Sequence, residues 1–129
     1  MNIAIFKAYD IRGKYPEEIN EATVARITET IAKSIKKGKI IIGCDVRASS
    51  FSLCKAALDA LKSFNGEVVP VGVVTTPMFY FLVNQFKANR GIMVTASHNP
   101  KEYNGLKMVK EGAFPISGKE VLELITGNQ

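Results

Sequence analysis

Apolar positions along this chain follow two rhythms that alternate with one another. Between Glu18 and Lys37 they fall at Ile19, Ala22, Val24, Ile27, Ile31 and Ile35. From Val24 onward the spacing is three or four, which predicts an amphipathic helix ended by Gly38. Phe51 to Phe64 places Leu53, Ala57, Leu58 and Leu61 on one side. That predicts a second helix, capped by Ser49 or Ser50 and ended by Asn65-Gly66. Pro77 suits the first turn of a third helix running to about Phe86. Ser117 to Glu120 has the spacing of a capping box, opening a fourth through about Ile125.

Unbroken apolar runs lie between these helices. Lys39-Ile40-Ile41-Ile42-Gly43-Cys44 and Arg90 to Thr95 read as strands buried on both faces, as in a parallel sheet. Glu67 to Val74 is a strand that Pro70 demotes to a sheet edge or a bulge. Asn2 to Phe6 alternates weakly and predicts a short first strand, followed by a turn over Phe6 to Gly13 that carries Arg12. Gly105 to Lys110 predicts a strand paired as a hairpin with the one before it. The alternation predicts a three-layer α/β/α domain. Its sheet is expected to be mixed and mostly parallel, with about four strands, and Ile40–Ile42 and Ile92–Val94 at its centre.

Composition narrows the class. The chain has 129 residues, 47% apolar and 22% charged, enough for one domain with a core (residues 1–129). No apolar run approaches the roughly 18 residues of a membrane span, and Met1 is not followed by a signal-peptide pattern. The expectation is a cytoplasmic protein without a membrane partner. Cys44 and Cys54 match neither a disulfide framework nor a zinc site and are read as buried thiols. The net charge of +5 suits an anionic partner. Lys33, Lys36, Lys37 and Lys39, however, end a helix, where cations meet the last carbonyls favourably. No aromatic residues interleave with them, so small phosphorylated ligands are expected rather than nucleic acid.

Candidate chemistry gathers at strand ends, where open α/β sheets bind ligands. Asp45 and Arg47 follow one strand, and their expected role is an ion pair that props a loop. Thr75 and Thr76 follow another, reading as a helix start. The richest stretch is Thr95-Ala96-Ser97-His98-Asn99-Pro100, which joins a hydroxyl, an imidazole, an amide and a direction-setting proline. A serine at the end of a core strand is held more rigidly than one on a free loop. A serine hydrolase is disfavoured, because adjacent residues at a strand end point apart and Ser97 lacks the flanking glycines of a nucleophile elbow.

Four segments together resemble the α-D-phosphohexomutases, the phosphoglucomutase and phosphomannomutase superfamily. They are Tyr9-Asp10-Ile11-Arg12-Gly13, Gly43-Cys44-Asp45-Val46-Arg47, Thr75-Thr76-Pro77, and Thr95 to Pro100 followed by Tyr103-Asn104-Gly105-Leu106-Lys107. They occur in the family's order and cover nearly the whole chain, as the first of four domains. The resemblance implies that Ser97 carries a phosphoryl group exchanged with a hexose phosphate, through a bisphosphorylated sugar that also serves as activator (hexose 1,6-bisphosphate). It implies catalytic roles for Ser97, His98, Arg12 and Lys107. Tyr9, Arg12, Asn99 and Lys107 are implied phosphate or substrate contacts, and Mg2+ would meet Ser97 through its phosphate. His98 either orients the phosphoserine, shuttles a proton or is structural. The metal, sugar and second phosphate loops belong to three domains beyond Gln129, so an excised or split protein, inactive alone, is expected. The alternative is a non-catalytic phosphate-binding or interaction module. Phe79 to Val83 and Phe86 are too continuous for one helix face, so an apolar surface is expected to meet the remaining domains or a second copy.

Overall fold

The computed structural model describes residues 1–127. After a 3-10 turn at Ile3–Ile5 the chain runs β1 (Ile11–Lys14), α1 (Glu21–Ile35), β2 (Lys39–Cys44), α2 (Ser50–Ala60), β3 (Glu67–Val73) and α3 (Thr76–Gln85). It continues through β4 (Arg90–Val94), β5 (Tyr103–Lys110), a 3-10 turn at Glu111–Ala113, β6 (Phe114–Pro115) and α4 (Gly118–Thr126). The sheet order is β1-β5-β4-β2-β3, with β6 paired to β5, so the strands number six rather than about four. β3, β2 and β4 are parallel, and β5 runs against both β4 and β1.

Each strand of the centre feeds both faces, because successive side chains point to opposite sides. Ile40, Ile42, Ile92, Val94, Leu106 and Met108 pack under α1, α2 and α4, while Ile41, Met93 and Val109 pack under α3. Ile40, Ile41, Ile42 and Ile92 are wholly inaccessible, each worth roughly 1.5–3 kcal/mol of burial. The three-layer expectation holds, with β2 and β4 inside the sheet.

Three boundaries differ from the pattern. Asn2 to Phe6 is not a strand: the Asn2 side chain accepts from the Ala4 amide at 2.9 Å, and the segment turns. The first strand lies instead in the expected turn, because β5 supplies pairing partners for Ile11 to Lys14 that no local rule can see. α1 starts at Glu21, where the Asn20 side chain caps the Thr23 amide, and stops at Ile35 with Lys36 at φ 67°. β3 realises both readings of Pro70: it is an edge strand, and its register with β2 shifts between Ile42 and Gly43. Pro77 does open α3, beside Thr75 as its cap, and the Ser117–Glu120 capping box is present. No helix of the described residues is long and apolar enough to cross a membrane.

Candidate functional site

The parallel strands β2 and β4 end side by side, with the Asp45 amide donating to Val94 O at 3.0 Å. β4 passes through buried Thr95 and Ala96 into the loop. There Ser97 takes φ 56°, a left-handed conformation that costs a non-glycine residue about 1–2 kcal/mol. Three contacts over-determine it. The Ser97 amide donates to Thr95 Oγ1 at 3.1 Å, and the Asn99 amide (3.1 Å) and side chain (2.9 Å) both donate to Ala96 O. Ser97 and the exposed His98 line an open cleft with Asp45, Thr95 and the start of α3 at Thr75-Thr76-Pro77.

Arg47 closes the loop from below. Its Nη1 donates to Pro100 O (2.6 Å) and Tyr103 O (3.1 Å), and its Nη2 to Ser97 O (2.8 Å) and Asn99 O (2.7 Å). Nε faces Asp45 Oδ2 at 3.6 Å. The expected Asp45–Arg47 pair therefore exists, and the propping is done by the guanidinium on backbone carbonyls. Asp45 is anchored in turn, because Ser50 donates to its Oδ1 at 2.5 Å. The fully buried Asn104 donates to Ser49 and Ser50 at 2.8 and 3.1 Å. Ser49 occupies the cap position of α2 without a side-chain cap bond, so these serines serve the loop rather than the helix end.

Arg12 and Lys107 meet at Asp10. Arg12 Nε lies 2.9 Å from Asp10 Oδ1 and Lys107 Nζ 3.9 Å from Oδ2, and the Asp10 side chain is only 6% exposed. The register explains the meeting: Arg12 faces Gly105 across β1 and β5, and Lys107 follows two residues along on the same face. Lys107 also pairs with Met93 of β4, so the cations share the α3 side of the sheet. Burial, with the charge of Asp10 added, raises the Tyr80 hydroxyl on α3 above the usual tyrosine range. Arg12 and Asn99 line a second hollow with Tyr103 and Glu18.

The candidate residues thus fall into two groups joined by the loop: Ser97 and His98 on the cleft, and Arg12, Lys107 and Asn99 around Asp10 and the second hollow. Tyr9 is 77% exposed and joins neither lining. Sequence reasoning missed Asp10, Ser50 and Asn104. Their sign in the sequence was a carboxylate, a hydroxyl and an amide inside or beside the motifs; only the fold buries them. Among the described residues, no group of three or more His, Cys, Asp or Glu side chains is placed to hold a metal ion. Asp45, the carboxylate on the Ser97 cleft, is already committed to Ser50 and Arg47. These residues do not by themselves fit magnesium.

The three-layer α/β/α domain thus presents a braced serine beyond its parallel strands, with paired cations on the same side of the sheet. The family model described as phosphoglucomutase/phosphomannomutase, alpha/beta/alpha domain I, matches residues 4–127, and the chain belongs to that family. It is 44% identical over 117 residues to the phosphohexose mutases of Xanthomonas campestris pv. campestris, covering 91% of this chain and 26% of that one. A phosphomannomutase of Klebsiella pneumoniae is 42% identical over 131 residues, with 98% of this chain and 83% of the relative covered. The structure of a phosphoglucomutase/phosphomannomutase family protein from Burkholderia thailandensis superposes with a TM-score of 0.82 at 32% identity, over 98% of this chain and 30% of that one. The chain thus spans about a quarter of the length of its Xanthomonas relative.

Proposed function

We propose that this chain is the phosphoserine domain of a cytoplasmic phosphohexomutase, with Ser97 as the residue that carries the phosphoryl group. The observation that carries the reading is the conformation of Ser97: a left-handed residue held by its neighbours at the end of an interior strand, beside the family's signature. Strain of this kind persists where the surroundings over-determine it, commonly at functional sites.

In this reading a hydroxyl of a hexose monophosphate attacks the phosphorus on Ser97. The bond from phosphorus to the sugar oxygen forms as the bond to Ser97 Oγ breaks. The sugar hydroxyl gives up its proton, and His98, on the same cleft, is the proposed carrier that delivers a proton to the departing Ser97 Oγ. The bisphosphate then turns over and returns its other phosphoryl group to Ser97, interconverting hexose 1-phosphate and 6-phosphate. Phosphoryl transfer relies on positioning and charge stabilisation. Arg12 and Lys107 supply positive charge, and Asp10 holds both in place before the phosphate arrives. Asn99 shapes the loop, and Tyr9 is free to reach a substrate.

Magnesium, when bound, screens the charge of the transferring group. Its protein ligands would come from the partner domains, and the Ser97 phosphate would be this domain's share in holding it. The exposed Met78 and Phe81 of α3, with Phe86 just past its end, seat the adjoining domains, and turnover needs those domains.

The test joins the chain to the remaining domains, incubates it with hexose 1,6-bisphosphate and maps the phosphate by mass spectrometry. Phosphate on Ser97 and loss of turnover in Ser97→Ala are expected. Phosphate on Thr95 or Ser117, or undiminished turnover in Ser97→Ala, would overturn the assignment. The chain alone is expected to show no conversion of hexose 1-phosphate.

A further inference from the structure

We infer that Arg47 is the positioning residue of the Ser97 loop, acting on phosphoryl transfer without touching the substrate. The inference rests on the reading of Ser97 as the phosphoryl carrier. A guanidinium offers five N–H donors in a rigid planar fork. Its four Nη donors meet the carbonyls of Ser97, Asn99, Pro100 and Tyr103 at 2.6–3.1 Å, and Nε faces Asp45 Oδ2 at 3.6 Å, an ion-pair rather than a hydrogen-bond distance. No Nη donor remains for a sugar or a phosphate.

Those carbonyls belong to Ser97 itself, at φ 56°, and to the loop residues that follow it. Without the guanidinium, four carbonyl dipoles converge on one point with nothing to neutralise them, and the loop relaxes. The fork is itself fixed through Asp45 to Ser50 and to fully buried Asn104, so β5 and the start of α2 set where Ser97 stands. A lysine cannot replace it, because three donors on one nitrogen do not span four carbonyls and a carboxylate.

Two readouts test this. In the chain itself, Arg47→Lys is expected to raise amide hydrogen exchange at Ser97, Asn99 and Tyr103 at least about tenfold, with the amides of β2 and β4 unchanged. Unchanged protection of the loop would overturn the inference. Should Arg47→Lys unfold the chain, Asp45→Asn, which keeps the guanidinium and weakens its anchor, is read instead. Faster exchange confined to the loop supports the inference, and wild-type exchange refutes it. In the chain joined to its partner domains, Arg47→Lys is expected to lower kcat about a hundredfold, the scale of a misplaced reacting group, with KM for hexose 1-phosphate unchanged. A raised KM with unchanged kcat would show that Arg47 binds substrate. If the wild-type joined protein shows no turnover, the reading of Ser97 fails, while the exchange measurement still decides what Arg47 holds.

Discussion

Gly105→Ala tests how closely β1 and β5 are fitted, and with them the seat of Arg12. A methyl group at position 105 would collide with the Ile11 carbonyl oxygen and lie 3.0 Å from the Ile11 carbon and 3.1 Å from Arg12 Cα. All three are backbone atoms, so no rotamer change relieves the clash. Gly105 is not among the positive-φ residues, so alanine meets no torsional penalty and the cost is steric. β1 must draw back from β5, loosening an edge ladder that runs from Ile11–Leu106 to Lys14–Tyr103. Overpacking costs about 1–3 kcal/mol. Weakened ladder hydrogen bonds add about 1 kcal/mol. The reduced freedom of the unfolded alanine chain returns about 0.4–1 kcal/mol. The net is roughly 2 kcal/mol, and at about 4 °C per kcal/mol for a chain of this size the melting temperature falls by ~8 °C. Thermal and urea denaturation followed by circular dichroism would measure it. Melting within 2 °C of the wild type (about half a kcal/mol) would refute the argument.

Two further outcomes follow from ionisation. Burial raises the Cys44 thiol and pushes Cys54 up to about 12, so neither should react with a disulfide reagent at pH 8 until the protein unfolds, when both should; rapid labelling of native protein would contradict this. Hydrogen bonds from Ser52 and Tyr15 hold the Glu21 carboxyl below its usual range, and backbone and Asn89 hydrogen bonds do the same for Glu111. The unfolded chain therefore binds protons first as pH falls. The stability these groups contribute is complete above the ordinary glutamate range and is lost below it. Urea midpoints that do not decline between pH 6 and pH 3 would count against those bonds.

Much of this protein is determined by short-range pattern. The Ile40–Ile42 and Ile92–Val94 runs specify interior strands because only a sheet covered on both faces buries every residue of such a run. Thr75-Thr76-Pro77 and Ser117 to Glu120 specify helix starts because the groups that satisfy the first amides lie within three residues. The motifs Asp45-Val46-Arg47 and Thr95 to Pro100 marked the site because polar residues stand where apolar strands stop.

Tertiary structure decided the rest. Asn2 to Phe6 lost its strand, and Ile11 to Lys14 gained one, because pairing with β5 joins residues some ninety positions apart. Nothing local reports such a partner. Asp10 gathers Arg12 and Lys107 only once that antiparallel pairing sets them on one face. Arg47 reads as one half of a nearby ion pair in the sequence. The fold alone brings its other four donors to carbonyls fifty or more residues away, because β2 and β4 are neighbours whose ends must meet.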